Sequence, residues 1–257
     1  APYELLTKVS ANEKLNNAET LSFQLLNKRL EVICNLAHEL KVRIFIDAEE
    51  SWIQDAIDSI ALDLMGKYNT QEAIIYNTLQ MYRWDRLDYL KKCFEDAKNN
   101  KFYLGLKIVR GAYMEKERER SENLNYPSPI HIDKASTDID YDLAIEFCTK
   151  NLKVISICAG THNETSSMKL IELMEDQEIS KEDPSIYFSQ LLGMSDHISY
   201  NLSQSGYNVA KYVPYGPVKD VLPYLIRRAQ ENTSISGQTT RELGLIMKEV
   251  KRRRKTT

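Results

Sequence analysis

The chain has 257 residues, of which 42% are hydrophobic and 28% charged, and its formal net charge is -3. This length allows one large domain or two small ones. Because a weakly acidic chain lacks the strongly basic face of nucleic-acid-binding proteins, we expect no nucleic acid as a partner.

Short apolar or β-branched segments alternate with helix-period segments along the chain. The predicted strands cover residues 3–11, 42–50, 73–82, 102–113, 154–163, 186–194 and 208–216. Helical patterns follow them, the clearest at residues 19–40, 54–68, 85–98 and 141–151. Seven repeats of a strand followed by a helix predict a parallel α/β protein whose strands are buried on both faces.

A single (βα)8 barrel fits these repeats better than an open sheet, since no glycine-rich nucleotide loop follows the first predicted strand. The count stops at seven, and the chain starts inside a predicted strand. We therefore expect one barrel domain over residues 1–257 whose first β/α unit lies upstream of this chain.

Cysteine and histidine spacing gives no sign of a metal or disulfide site. The four cysteines stand singly, without a C-x-x-C pair, so they are predicted to be buried thiols. The four histidines are scattered, and no metal is expected.

Polar residues close most of the predicted strands, and in barrels of this type the functional groups lie at those carboxyl ends. They are Lys8, Ser10, Asp47, Glu49, Gln80, Tyr82, Lys107, Arg110, His162, Asn163, Gln190 and Tyr212. Because a charge inside an apolar strand is costly unless paired, Lys8 and Asp47 are predicted to be partners. Such a pair could serve a site or be purely structural.

Two strand ends carry recognisable motifs. In VRGAYM, Gly111 would let a ligand or another part of the chain approach closely, and Lys107 and Arg110 could face an anion; a simple turn is the alternative. In AGTHN, His162 could act as a base, a ligand or a donor, or be a structural histidine.

Two adjacent arginines stand in the segment YVPYGPVKDVLPYLIRRAQENTS. If Asp220 caps a helix there, one face of that helix carries Tyr224, Arg227, Arg228 and Glu231. On an exposed helix this face would be solvated, with an ion pair from Arg227 to Glu231. A helix over the barrel mouth would instead turn the arginines into a clamp for a carboxylate or phosphate.

Taken together, the motifs resemble the proline dehydrogenase family. They are TKVSA, FIDAEE, LQMY, KIVRGAYM, DKASTD, AGTHN, QLLGM and YVPYG followed by LPYLIRRAQEN, in this order over nearly the whole chain. The resemblance implies a distorted (βα)8 barrel that holds FAD at the strand ends, with its final helix over the mouth. It also implies oxidation of L-proline to 1-pyrroline-5-carboxylate by hydride transfer from C5 to flavin N5, the first step of proline catabolism.

The resemblance also assigns roles to individual residues. Arg227 and Arg228 would bind the proline carboxylate, with Lys8 as a third cation held in place by Asp47. The residues around the pyrrolidine ring would be Tyr113, Leu191, Tyr212 and Tyr224. The residues around FAD would be Gln80 and Lys107 at the flavin ring, and Gly111, Ala112, Lys134, His162, Asn163 and Glu231 at the remainder.

Other expectations follow from the same resemblance. Electrons would pass to a quinone or another acceptor, the protein would be mitochondrial, and peripheral association with a membrane is left open. Some members carry arginine where Lys107 stands and tryptophan where Met114 stands, and the acidic residues that pair with the arginine clamp belong to the upstream unit.

Two other functions remain open at this stage. The first is a lyase or aldolase barrel in which Lys8 or Lys107 forms a Schiff base and the arginines hold a phosphorylated or carboxylated substrate. The second is a non-catalytic barrel that serves as an interaction scaffold.

Overall fold

Six parallel strands form the sheet of this protein. The computed structural model describes residues 3–219, 221–226, 244, 247–248 and 250–254. The strands are β1 (Ile44–Ile46), β2 (Ile75–Gln80), β3 (Leu104–Val109), β4 (Ile155–Gly160), β5 (Ile186–Leu191) and β6 (Val209–Tyr212). Each pairs in parallel with the next strand along the chain. Residues of all six strands, or directly after them, line one cavity, so the sheet is curled into a partial barrel.

Helices connect the strands and cover the outer face of the sheet. They are α1 (Tyr3–Ser10), α2 (Asn17–Leu40), α3 (Ser51–Tyr68), α4 (Arg86–Asn100), α5 (Met114–Asn123), α6 (Lys134–Thr149), α7 (Glu164–Asp176) and α8 (Asp196–Gln204). Parallel neighbours need such crossover connections, because a tight turn can join only antiparallel strands.

The apolar core lies between the strands and these helices. All six residues of β2 are buried, and β3 and β4 contribute further fully buried aliphatic side chains, among them Leu106, Ile108 and Ile157. Because the sheet is covered on its outer face and encloses a cavity on its inner face, its strands read as continuous apolar runs.

A buried asparagine connects the carboxyl end of α3 with the amino ends of β2 and β3. Asn69, at the end of α3, donates from Nδ2 to the carbonyl oxygens of Ile75 and Tyr103 at 2.8 and 2.9 Å. Its Oδ1 accepts from the backbone N–H groups of Ile74 and Ile75 at 3.0 and 2.9 Å. The side chain thereby fixes the positions of β2 and β3 along their axes relative to α3, and with them the carboxyl ends of both strands.

The first predicted strand is wrong, because residues 3–10 form helix α1. Leu5 is buried, Ser10 Oγ accepts from the backbone N–H of Ala56 on α3 at 3.0 Å, and Glu4 and Lys8 suit the two ends of the helix dipole. Short apolar runs do not separate helix from strand by periodicity alone, and here packing against α3 decides.

The strand count therefore changes from seven to six, and the architecture is a six-stranded partial barrel of the α/β class. Residues 221–226 after β6 are helical, whereas Asp220 and residues 227–243 lie outside the described residues. The sequence MEKERERSEN predicts a polar connection, but it forms helix α5.

All four cysteines are buried and unpaired, which confirms the prediction of buried thiols. None of the helices in the described ranges combines the length and apolar character needed to cross a bilayer.

Candidate functional site

A cavity of about 1040 Å³ opens at the carboxyl ends of the strands. Most of the predicted site residues line it, although they come from loops far apart in the sequence. They are Asp47, Gln80, Lys107, Gly111, Ala112, Tyr113, Lys134, His162, Asn163, Leu191, Tyr212 and Tyr224. The curled sheet therefore gathers these twelve residues around one space. The sequence alone does not show which of them are neighbours.

Lys107 and Asp47 form an ion pair inside this cavity. Lys107 projects from β3, and its ammonium lies 5.3 Å from the ring centre of Phe45 on β1. Asp47 directly follows β1. Two sheet positions separated by sixty residues are thus tied together by charge, and the ammonium has a fixed place on the cavity wall.

This pairing corrects the predicted partnership of Lys8 with Asp47. Lys8 lies on α1, where its Nζ is 2.5 Å from Glu19 Oε1, and it does not line the cavity. Because residues 3–10 are helical, Lys8 does not lie on a strand next to β1. The predicted pairing of Lys8 with Asp47 assumed such a strand and is therefore wrong.

Gln80, the last residue of β2, carries an unusual buried acceptor. The residue is 3% exposed, and its Oε1 has no hydrogen-bond partner within the described part of the chain. Burying an amide oxygen without a partner costs about 1–3 kcal/mol. Since Gln80 lines the cavity, a ligand with an N–H donor would remove this cost.

The structure requires glycine at position 111. Its φ angle is +136°, and a Cβ atom built on it would lie 2.4–2.6 Å from three ring atoms of Tyr82. The backbone N–H of Tyr82 in turn donates to the carbonyl oxygen of Arg110 at 2.7 Å. The close approach that VRGAYM predicts is thus made by an aromatic ring of the neighbouring loop.

The loops after β1 and β3 are bonded to each other beside the cavity. The hydroxyl of Tyr113 donates to Glu49 Oε2 at 2.5 Å, and Lys116 Nζ lies 2.9 Å from Glu50 Oε1. These contacts set the position of Tyr113 against the rest of the wall.

A buried carboxylate completes this connection. Glu117 on α5 is 0% exposed, and its two oxygens accept from the backbone N–H and the hydroxyl of Ser51 at 2.5 and 2.6 Å. Glu50, the residue before α3, supplies no side-chain cap. Glu117 of α5 therefore caps α3, and this contact joins the amino-terminal turns of the two helices.

Arg110 directly follows β3 and reaches across the end of β4. Its Nε donates to Asp138 at 2.6 Å, one Nη donates to Thr161 Oγ1 at 2.7 Å, and the other donates to Ser166 Oγ at 2.9 Å. The guanidinium carbon lies 4.4 Å from the ring centre of the buried Tyr141. Asp138 also accepts from Lys134, and we call these residues and Lys134 the Arg110 cluster.

The Arg110 cluster affects the ionisation of its carboxylate. Burial alone would raise the pKa of Asp138, but the hydrogen bonds from Lys134 and Arg110 outweigh burial and hold that pKa below its usual value. Asp138 is therefore ionised at neutral pH, and both cations keep their partner.

The turn after β4 carries His162 and Asn163. Ser195 Oγ lies 3.1 Å from Nδ1 of His162. Asn163 Oδ1 accepts from the backbone N–H groups of Thr165 and Ser166 at 2.9 and 3.3 Å and so caps α7. Both residues line the cavity in orientations set by hydrogen bonds.

A further part of the cavity wall is aromatic and apolar. The rings of Tyr212, at the end of β6, and Tyr224 lie 5.5 Å apart and tilted by 52°, and Leu191 ends the neighbouring β5. An apolar corner beside a charged one suits a small ligand that has both kinds of surface.

Three predicted residues, Arg227, Arg228 and Glu231, lie outside the described residues. Their roles stay predictions. Among the side chains that are described, no group of three His, Cys, Asp or Glu residues is arranged to hold a metal ion.

Sequence reasoning missed several contributors to the site. Glu117 belongs to a segment that the sequence predicts to be a polar connection, and only the fold shows that its side chain is buried. His197 Nε2 lies 2.7 Å from Glu164 Oε1 on the cavity wall, and both stood at helix starts without a motif. The rule that strand ends carry function selects Arg110, and it could also have included Thr161, which stands beside His162.

Comparison with known proteins places this geometry in a family. A model of the family described as proline dehydrogenase matches residues 3–241. Proline dehydrogenase 1, mitochondrial, of Drosophila melanogaster is 40% identical over 241 residues, which are 90% of this chain and 35% of that protein. Its human counterpart is 37% identical over 255 residues, 98% of this chain and 42% of that protein.

A solved structure agrees with the fold. The crystal structure of proline utilization A (PutA) from Bdellovibrio bacteriovorus, inactivated by N-propargylglycine, is 26% identical with a TM-score of 0.77 over 83% of this chain and 22% of that one. The chain thus spans less than half the length of these relatives. Because the family model covers the strands and nearly all of the cavity wall, the chain belongs to the proline dehydrogenase family.

Proposed function

We propose that the protein to which this chain belongs oxidises L-proline to 1-pyrroline-5-carboxylate with FAD as its cofactor. One observation carries the proposal. The cavity at the strand ends collects every described residue that the family resemblance assigns to substrate or cofactor, apart from Lys8. Membership of the family supports the reaction.

The residues present fit a flavin. A cavity of about 1040 Å³ is at the upper end of the range for small-molecule sites, about 300–1,000 Å³, and so has room for a large cofactor beside a small substrate. The partnerless Oε1 of Gln80 suits a ring that carries an N–H donor. Bound FAD would supply a ring system that takes up a hydride, and with it two electrons, from an amine.

The chain's own residues would hold the cofactor by parts. Gln80 and Lys107 would contact the ring, and the ammonium of Lys107 would favour negative charge on it. The residues at the remainder of the cofactor would be Gly111, Ala112, Lys134, His162 and Asn163, together with Glu231.

The substrate end would combine an apolar wall with cations. Tyr113, Leu191, Tyr212 and Tyr224 would surround the ring of proline and exclude water. At three and four positions after Tyr224, Arg227 and Arg228 would share its face if the helix of residues 221–226 continues. Two guanidinium groups would bind the carboxylate and orient the ring for reaction.

The geometry disfavours the alternative of a Schiff-base enzyme. The amino group of Lys107 is bonded to Asp47, whereas a Schiff-base lysine must present its nitrogen to a carbonyl. Lys8 is bound to Glu19 and does not line the cavity. Neither candidate lysine is therefore placed as a nucleophile, and no observation on the described residues favours a mere scaffold.

The names of two relatives also bear on the location of the protein. The fly and human relatives are named as mitochondrial, and we propose the same location. The final acceptor of electrons would be a quinone or another oxidant, with the full barrel and its last helix completed by residues outside the described ones.

The function can be tested with the full-length protein, L-proline and a soluble quinone. We expect 1-pyrroline-5-carboxylate, detected as its coloured adduct with an aminobenzaldehyde. Arg227→Met or Arg228→Met should raise KM for proline about ten- to a hundredfold, because a charge-assisted contact is worth roughly 1.5–3 kcal/mol. The bound flavin content should not change.

The matched control is Arg29→Met on the exposed face of α2, which should leave KM as it is. A substrate adduct trapped on a lysine by borohydride, or unchanged KM in both arginine variants, would contradict the proposal.

A further inference from the structure

Arg110 lines the cavity, but its guanidinium group is bonded to the protein. Arg110 is bonded to three different segments: Asp138 on α6, Thr161 after β4 and Ser166 on α7. Its carbonyl oxygen also accepts from Tyr82 in the loop after β2. One residue thus connects four segments around one side of the cavity.

Each segment that Arg110 contacts holds a predicted cofactor residue. Asp138 bonds the ammonium of Lys134. Thr161 Oγ1 accepts from Arg110 and also from the backbone N–H of Asn163 at 3.0 Å. His162 lies between Thr161 and Asn163. The positions of Lys134, His162 and Asn163 therefore depend on the same guanidinium group.

The charges of this side of the cavity indicate what Arg110 does there. Ser166 Oγ donates to Asp142 at 2.6 Å, so the two cations Arg110 and Lys134 are accompanied by the carboxylates of Asp138 and Asp142. The sum of these four charges is zero. Each guanidinium nitrogen of Arg110 donates to a protein oxygen, which uses three of its five N–H groups. Most of its donors therefore bond the protein.

The shape of the guanidinium group explains why arginine stands here. Its planar fork donates from three nitrogens in fixed directions, while the flat face packs on Tyr141. Lysine has a single nitrogen on a flexible stem, and its three donors diverge from one point, so it cannot reproduce the spacing and directions of the three guanidinium bonds. The substitution Arg110→Lys therefore keeps the charge and removes the geometry.

We propose that Arg110 is a positioning residue for the cofactor, which fixes Lys134, His162 and Asn163 through its hydrogen bonds to the protein. The inference rests on the proposed function, because it concerns the part of FAD beyond its ring. It assigns Arg110 to affinity for the phosphate and adenosine portion, and not to the reaction at the ring.

The test compares two ligands on the full-length apoprotein by quenching of flavin fluorescence. FAD has the phosphates and adenosine, and riboflavin has the ring and ribityl chain alone. We expect Arg110→Lys to raise Kd for FAD about tenfold or more, since it loses two hydrogen bonds, and to leave Kd for riboflavin within about twofold. Arg29→Lys on α2 is the matched control and should change neither value.

A second readout needs no flavin. In the apoprotein, the backbone N–H groups of Asn163, Thr165 and Ser166 bond within the turn after β4. Their hydrogen exchange should be faster in Arg110→Lys than in the wild type and unchanged in Arg29→Lys.

If Arg110→Lys does not fold, Ser166→Ala carries the test, since it removes one of the three guanidinium partners. Equal losses of FAD and riboflavin affinity, or unchanged FAD affinity in a variant that folds, would overturn the inference. A wild-type protein that binds neither flavin would instead refute the proposed function, so the two failures can be told apart.

Discussion

Gly111 shows how a single residue shapes the cavity. Its φ of +136° is outside the range that residues with side chains readily adopt, and the Tyr82 ring occupies the space beside its Cα atom. Gly111→Ala should therefore lower the free energy of unfolding by roughly 2–6 kcal/mol, from backbone strain and overpacking together. Urea unfolding of the variant would measure this loss.

Gly193 is the matched control for that substitution. Its φ is also positive, at +74°, but no atom lies within 4 Å of the place where a Cβ would stand. Gly193→Ala should cost only the backbone term, about 1–2 kcal/mol. Equal costs at both positions would show that contact with Tyr82 has no effect.

Single residues also show what the sequence could reveal of the site. The rule that functional groups end the strands of a parallel barrel was enough to select Asp47, Gln80 and Lys107. It could not identify the partner of Asp47, because pairing depends on which side chains point into the barrel. The actual partner, Lys107, lies two strands away from β1 in the sheet.

At the scale of elements, the join between α3 and α5 affects both stability and the site. Glu117→Ala should leave the N–H of Ser51 without its acceptor and lower the free energy of unfolding by about 0.5–2 kcal/mol, as for the loss of a helix cap. Because α5 begins directly after Tyr113, KM for proline should rise several-fold while kcat changes less. Urea unfolding and steady-state kinetics of the full-length protein would measure both.

Two variants separate this role from a general effect of charge. Glu119→Ala on the exposed face of α5 should change neither quantity, and Glu117→Gln, which keeps one acceptor oxygen, should recover part of the loss. A Glu117→Ala variant with normal stability and normal KM would show that the cap is unimportant.

The turn between β2 and α4 should respond to acid. Asp85 accepts hydrogen bonds from both Arg83 and Arg86, with shortest distances of 2.6 Å. Burial alone would raise the pKa of Asp85, but the two arginines outweigh it and lower the pKa from 3.8 to about 2. A folded-state pKa below the unfolded value stabilises the fold above pH 3.8, and this contribution disappears as the pH falls to about 2.

The difference between wild type and Asp85→Asn tests this sign. The wild type should be the more stable protein near neutral pH, and its advantage should shrink between pH 4 and about 2. Urea unfolding at several pH values would show it. A difference that does not change with pH would mean that Asp85 titrates alike in the folded and unfolded chains.

The elements themselves were predictable to different degrees. Long segments with a strong period, such as α2 and the buried strands β2 to β5, followed from the sequence. The segment of α1 did not, since YELLTKVS has apolar and β-branched residues that suit either structure, and contact with α3 decides between them. Helix α5 lacks an apolar stripe, so its sequence gives no helical signal. The buried carboxylate of Glu117, and not a hydrophobic face, fixes this helix to its neighbour.

At the scale of the whole molecule, the order of the strands accounts for the cavity. Sequential parallel pairing from β1 to β6 turns all carboxyl ends to the same side and curls them around one space. The repeat of strand and helix predicted this class of fold and this location of the site. The number of strands was not predictable from it, since one misassigned segment changes the count.

Under the proposed function, this cavity holds a flavin that proline reduces. The most direct measurement is the visible absorption spectrum of the purified full-length protein, recorded without oxygen before and after L-proline is added. We expect the yellow absorbance of a bound flavin, which proline bleaches and a quinone restores. A colourless protein, or a yellow one whose spectrum proline leaves unchanged, would contradict the account.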